Sequence, residues 1–267
     1  MNLPVVLTIA GSDNSAGAGA QADLKTMCAL GVYGVTAITC VVAEVPGKVS
    51  AIQAMEPAII AEQIRLLFEA YPVAAMKTGM LYSRPIMERV VAELTAVKQR
   101  PPLVVDPVMV ATSGDPLLKG DAVSYYKEAL FPLATLVTPN LDEASVLIGQ
   151  RITSLNELRE AGLRLAGEYH CAFLMKGGHL REEVATDLLV QPDGTVSEFR
   201  APFIPGISTH GTGCTYSAAV AAGLGHGLSL LDAVAQAKQF IALAIGSFLR
   251  WERADGGTTD ALHHFAK

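Results

Sequence analysis

Val5-Val6-Leu7-Thr8-Ile9-Ala10-Gly11-Ser12-Asp13-Asn14-Ser15-Ala16-Gly17-Ala18-Gly19-Ala20-Gln21-Ala22-Asp23 decides the class of fold. Val5–Ile9 is a short, largely β-branched run with strand character, and the small residues after it lead into a helix. Small residues let a ligand approach backbone amides closely, and a helix N-terminus favours negative charge. Gly11, Gly17 and Gly19 do not fit the G-x-G-x-x-G spacing of a dinucleotide fingerprint, and the Lys-Ser/Thr ending of a P-loop is missing. A plain strand-to-helix turn, with Asp23 as a solvated helix carboxylate, is the simpler reading of the same residues.

Working outward, the same alternation recurs. Gly34–Val42, Ala74–Lys77, Leu103–Val105, Leu136–Thr138 and Ala172–Met175 read as strands, and Ala185–Val190 and Val196–Arg200 flank the turn Pro192-Asp193-Gly194 as a hairpin. Helices start at Pro57, Ser83, Ser154 (with Glu157 in a capping box) and Ser229 (with Asp232). Strands and helices in this order predict one α/β domain over residues 1–267, with a mostly parallel sheet and helices on both faces. Ligands of such sheets bind beyond the carboxyl ends of the strands.

Composition narrows the function. Half the residues are hydrophobic (51%) and 17% are charged, which supports a large core and excludes disorder. A net charge of -6 leaves no basic footprint for nucleic acid. There is no apolar run of membrane-spanning length and no signal-peptide pattern, so a cytoplasmic protein is expected. Cys28, Cys40, Cys171 and Cys214 form no C-x-x-C pair, and the first three read as small core residues.

The segment with the most chemistry is Thr209-His210-Gly211-Thr212-Gly213-Cys214-Thr215, heading an Ala-rich helix. Its glycines expose several N–H groups in one direction, which makes an anion hole suited to a transferring phosphoryl group. Cys214 lies where the positive end of the helix is expected to lower its pKa toward thiolate. In Thr138-Pro139-Asn140-Leu141-Asp142-Glu143, Asn140 and Glu143 can cap a helix, hold magnesium and its waters, or do both. Asp106 and Lys176 stand at two further strand ends, where either alone would count for little.

Taken together and in order, these segments resemble the hydroxymethylpyrimidine and hydroxymethylpyrimidine-phosphate kinases of thiamin biosynthesis, within the ribokinase-like superfamily. The resemblance runs from Leu7 to about Gly227 and includes Gln21-Ala22-Asp23-Leu24-Lys25-Thr26, Lys77-Thr78-Gly79-Met80, Asp106-Pro107-Val108-Met109, Ser113-Gly114-Asp115 and Met175-Lys176-Gly177-Gly178-His179. It implies a three-layer α/β/α sandwich without a large lid domain, ATP and Mg²⁺ as cofactors, and phosphoryl transfer to a CH₂OH oxygen. By the matching motifs, Gly211, Thr212, Gly213 and Cys214 would form the anion hole, with Cys214 as general base. Lys176 and Asn140 would serve the nucleotide, Asp106 and Glu143 the magnesium, and Gly11, Asp23, Met80 and Val108 the pyrimidine pocket. Glu44 occupies a substrate-reading position where the family usually has Gln. The same resemblance implies a homodimer in which Val45 to Met55 lies over the pocket or at the interface. Pyridoxal kinase is the alternative of the same chemistry; an ATP-dependent dehydratase on the same fold and a non-catalytic vitamin sensor are the readings of other classes. His263-His264 in the tail reads as a solvated pair.

Overall fold

The computed structural model describes residues 2–109, 120–180, 183–206 and 210–266; Ser113-Gly114-Asp115 and Thr209 therefore lie outside the described residues. The central sheet has nine strands in the order β3-β2-β1-β4-β5-β6-β7-β8-β9. These are β1 (Val5–Asp13), β2 (Tyr33–Val45), β3 (Lys48–Ala54), β4 (Val73–Thr78), β5 (Leu103–Val105), β6 (Leu136–Val137), β7 (Ala172–Lys176), β8 (Val184–Val190) and β9 (Val196–Pro202). The run from β2 to β7 is parallel, and antiparallel strands flank it: β3 on one edge, the β8–β9 hairpin on the other.

Two layers of helix bury the sheet. On one face Ile60 and Ile64 of α2 (Pro57–Ala70), Met87 and Val90 of α3 (Arg84–Ala96), Ala144 of α5 (Leu141–Ile148) and Leu158 of α6 (Leu155–Tyr169) join Leu7, Ile9 and Val105. On the other, Met27 of α1 (Gly19–Ala29), Ala218 to Ala222 of α7 (Thr212–Gly225) and Val234 and Ala237 of α8 (Leu230–Gly246) join Val6, Val104 and Leu174. Alternate residues of each strand thus feed opposite cores, which is why these strands read as continuous apolar runs. A short α4 (Gly120–Tyr125) precedes a π turn over Tyr126–Leu130.

Two elements lay outside the sequence reading. The residues after Val45 turn through Pro46-Gly47, with Gly47 left-handed at φ 82°, and return as β3 against β2. The tail forms a separate hairpin, β10 (Leu249–Glu252) and β11 (Thr258–Ala261). Of the terminal histidine pair expected to be solvated, His263 is partly exposed, but His264 is not solvated. His264 is 3% exposed and shares a 2.9 Å hydrogen bond between its Nε2 and Thr215 Oγ1 in the first turn of α7. Of the cysteines expected in the core, Cys40 and Cys171 are buried, whereas Cys28 is exposed.

Candidate active site

Each parallel strand delivers a polar group at or just past its carboxyl end. β1 ends at Asp13, β2 carries Glu44, β4 carries Lys77, and β5 is followed by Asp106, β6 by Asn140; β7 ends at Lys176. They surround a cavity of about 1280 Å³. Of the residues expected from sequence, Gly11, Glu44, Met80, Val108, Asp106, Asn140, Glu143, Lys176, Gly211, Thr212, Gly213 and Cys214 line it; Asp23 does not.

The N-terminus of α7 points into the cavity. Gly211 caps that helix with φ 80°, and a Cβ there would sit 1.8 Å from the carbonyl oxygen of Gly17. Only glycine fits such a left-handed, close-packed position. A Cβ on Gly213 would fall 3.2 Å from Lys176 Nζ and 3.6 Å from Asp106 Oδ2, so this loop, the lysine and the carboxylate share one corner. Lys176 Nζ donates to Asp106 Oδ1 at 3.2 Å, and Thr138 and Ser217 hydroxyls donate to the same carboxylate. Burial opposes the charge on Asp106, but Lys176 and Lys77 outweigh it and hold the carboxyl below its usual range. Burial likewise works against the Lys176 ammonium, and Asp106 and Glu143 more than offset it.

Asn140 and Glu143 do form a reciprocal capping box: Glu143 N donates to Asn140 Oδ1 at 2.9 Å, and Asn140 N donates to Glu143 Oε2 at 2.8 Å. Burial pushes the Glu143 carboxyl up to about 7, with Lys176 opposing and Asp106 reinforcing. The box uses one lone pair of Oε2, and a carboxylate has further acceptor sites to offer a cation.

Cys214 departs from the thiolate expectation. Removal from water pushes its thiol up to about 11, and the Lys77 charge and the Gly19 N–H only partly counter that. The helix end loses to burial because a dry thiol is favoured far more strongly than a half-charge can reverse. Lys77 was not among the candidates from sequence, although a lysine in the run Val73-Ala74-Ala75-Met76-Lys77-Thr78 was its signal. It is fully buried, and its Nζ lies 2.8 Å from both carboxylate oxygens of Asp23, which also accepts from Thr8 Oγ1 at 2.6 Å. Asp23 is therefore neither a pocket-lining residue nor a solvated one. It is the counter-ion beneath Lys77, placed by the inward face of α1. Burial works against the Lys77 ammonium; Asp23, with Cys214 and Asp106 behind it, holds its pKa above the ordinary value.

The far end of the cavity is acidic. Asp13 accepts from Ser15 N, Ser15 Oγ and Ala18 N, and its Oδ2 lies 3.1 Å from His210 Nε2. Against the penalty of burial, these bonds keep the carboxyl at about 2. Ligand atoms of Asp13, Glu44 and His210 all lie within 4.8 Å of one another. Asp13 and His210 stood within the motifs read from sequence, but nothing in a single chain says that residues 197 apart meet.

A doubly flanked parallel sheet, a glycine loop at a helix N-terminus and converging lysines and carboxylates define a ribokinase-like small-molecule kinase. The phosphomethylpyrimidine kinase family model matches residues 13–259, and the chain belongs to that family. It is 43% identical to a hydroxymethylpyrimidine/phosphomethylpyrimidine kinase of Rhizobium meliloti, over 98% of this chain and 97% of that one. It spans about half of some curated relatives: 49% of a bifunctional thiamine biosynthesis protein of Geobacter sulfurreducens that is 45% identical over 90% of this chain. Among solved structures, the pyridoxal kinase of Bacillus subtilis in complex with ADP aligns with TM-score 0.89 and 34% identity, over 99% of this chain and 98% of that one. A phosphomethylpyrimidine kinase from Clostridium difficile aligns with TM-score 0.79 and 38% identity, over 90% and 99%.

Proposed function

We propose that this chain transfers the γ-phosphoryl group of ATP to the hydroxymethyl oxygen of 4-amino-5-hydroxymethyl-2-methylpyrimidine, to its monophosphate, or to both, in thiamin biosynthesis or salvage. The observation that carries this is the corner where Gly213 meets Lys176 and Asp106 at the start of α7. There the backbone N–H groups of Gly211 to Cys214 and the Lys176 ammonium would face the transferring phosphoryl group. Asp106 and Glu143 are buried carboxylates with acceptor capacity left over, which suits Mg²⁺ held partly through water. When bound, the ion would offset phosphate charge; Asn140 and Lys176 would position the nucleotide. Cys214, beside Lys77, would take the proton from the substrate hydroxyl, while Gly11, Met80 and Val108 would flank the ring.

Residues 1–267 would act as a single cytoplasmic kinase domain, without nucleic-acid or membrane partners. Among the described residues no helix is long and apolar enough to cross a membrane. A homodimer is proposed too, because Val45 and Val49 leave apolar surface exposed on the β2–β3 edge; light scattering tests it. Pyridoxal is the second reading, favoured by the higher TM-score against the Bacillus pyridoxal kinase. ADP release with Mg²⁺ and the pyrimidine alcohol, its monophosphate or pyridoxal decides between them. Turnover of pyridoxal alone would overturn the pyrimidine assignment.

A further inference from the structure

The tail packs beside α7, and one of its side chains reaches the first turn of that helix. His264 Nε2 lies 2.9 Å from Thr215 Oγ1, and Thr215 is the residue after Cys214. Both side chains are buried. The tail does not need this bond to stay in place. Leu262 is packed in the core that α1, α7 and α8 share, and His263 N donates to the Ala244 carbonyl of α8 at 3.1 Å. Arg250 clasps Asp260 through two hydrogen bonds across the hairpin. Nor does close packing compel the bond: His264 borders a second cavity, of about 280 Å³, shared with Ser15, Lys25, His210 and Trp251.

We propose that His264 is a positioning residue for phosphoryl transfer: by drawing the Thr215 hydroxyl to itself, it keeps the peptide between Gly211 and Thr212 in place. This rests on the proposed reading of Gly211 to Cys214 as the anion hole. A serine or threonine inside a helix otherwise bonds the carbonyl four residues back, and that bond bends the helix. Thr26, Thr95, Ser145 and Ser217 all do so in this protein. For Thr215 the carbonyl four back is that of Gly211, which already accepts from Thr215 N at 2.9 Å. It belongs to the same rigid plane as the Thr212 N–H, so tilting one swings the other. Thr215 points its hydroxyl at His264 instead, and the donor at the mouth of the helix is left undisturbed.

The histidine is arranged as an acceptor. Burial, and then the Lys25 charge, hold its pKa at about 4, so the ring is neutral at pH 7 and carries one N–H. The Leu262 backbone works the other way and raises that pKa, as an acceptor of a ring N–H does. It takes the hydrogen and leaves Nε2 with a lone pair for Thr215.

Steady-state kinetics of the full chain with ATP, Mg²⁺ and hydroxymethylpyrimidine, alongside thermal unfolding, tests this. His264→Phe keeps a ring and removes the acceptor; it should lower kcat about 10- to 100-fold with KM for both substrates nearly unchanged. His264→Leu, which is smaller, should do the same where the larger ring does not pack. His264→Gln offers an oxygen near the place of Nε2 and should restore most of the kcat. Adding Thr215→Val to His264→Phe should also recover turnover, because the hydroxyl that would pull on Gly211 is gone. A merely structural role would lower the melting temperature of His264→Phe and His264→Leu and leave the kcat of the folded protein at the wild-type value, and that result overturns the proposal. A double variant as slow as His264→Phe alone overturns it too. In either case inactive Gly211→Ala leaves the anion-hole reading standing, whereas Gly211→Ala turning over at the wild-type rate overturns both.

Discussion

Replacing Lys77 by Met removes one half of a pair that has no access to solvent. Both side chains are 0% exposed, and Nζ lies 2.8 Å from each oxygen of Asp23. Met conserves the stem, so little packing is lost. What remains is a buried carboxylate whose described donor is Thr8 Oγ1. Breaking a buried pair from one side typically costs about 3–5 kcal/mol. A second route gives the same size. Asp23 can escape by taking up a proton, and from an ordinary carboxyl pKa of 3.8 that costs roughly 4 kcal/mol at pH 7, at about 1.36 kcal/mol per pH unit. The two routes predict different pH behaviour for the variant than for the wild type. In the wild type, burial already lifts the Asp23 carboxyl above its ordinary value although Lys77 and Thr8 oppose it; in Lys77→Met that cation is gone, the carboxyl rises further, and the folded state keeps a proton that the unfolded state gives up. Stability lost at pH 7 therefore returns on acidification, by about 1.36 kcal/mol per pH unit down to the unfolded pKa. Asp23→Asn in the Lys77→Met background should recover most of the loss, because neither charge is then left alone. Urea denaturation followed by circular dichroism at several pH values measures all three proteins. A Lys77→Met variant within about 1 kcal/mol of wild type at pH 7, or a gap that widens toward acid, would refute the claim that this pair is ionised and dry.

Gly211→Ala should abolish turnover in a folded protein, since a Cβ 1.8 Å from the Gly17 carbonyl oxygen must push the two loops apart; wild-type turnover would remove the loop from the site. Cys214→Ala should lower kcat by about 10²–10⁴ with nucleotide affinity nearly unchanged. Because burial lifts the thiol to about 11, wild-type kcat should climb with pH through the alkaline range, and a flat profile would argue against thiolate chemistry. Glu143→Gln should raise the Mg²⁺ concentration needed for half-maximal rate; an unchanged titration with lowered stability would leave it only the capping role seen in its bond to Asn140 N. His264 is held near 4, chiefly by burial and then by Lys25, so the unfolded chain binds its proton first as pH falls from 6.5. That should cost about 2–3 kcal/mol of stability between pH 6.5 and 4, and His264→Gln should remove this part of the acid sensitivity.

What the sequence disclosed followed from how each signal is written. The parallel strands are buried on both faces, so they stand out as apolar runs, and the capping box at Asn140 and the N-cap at Ser154 are local by nature, although the Glu157 carboxylate turns to Thr153 N and leaves the box expected at Ser154 half formed. β3 escaped because Lys48-Val49-Ser50-Ala51-Ile52-Gln53-Ala54 is an exposed edge strand with little apolar alternation; the Pro46-Gly47 turn was its available sign. Asp255-Gly256 was the corresponding sign for the tail hairpin, and Gly256 is left-handed there. Asp23 was misplaced for a different reason. Its helix position is plain in the sequence, but its direction depends on a lysine 54 residues away, and long-range ion pairs leave no local mark.

On the proposed reading, the order of the strands would let one cavity treat two kinds of ligand differently. Across the sheet from β2 to β7 the groups met in turn are Glu44, Asp13, Lys77, Asp106, Asn140 with Glu143, and Lys176. Neighbouring strands lie about 4.8 Å apart, so this row spans roughly 24 Å, enough for a heteroaromatic ring and a nucleoside triphosphate end to end. The anionic side of the row has Glu44 and Asp13 with no lysine between them; the other side interleaves lysines with carboxylates, as phosphate and a metal ion together require. α7 packs against β1, β4 and β5, which sets its N–H groups and Cys214 over the middle of the row. A hydroxyl attached to a ring held at Glu44 and a phosphate held at Lys176 would approach each other there. Shifting either proposed binding group by one strand would move its ligand about 5 Å from that point, so transfer would depend on strand order as much as on the identity of any one residue.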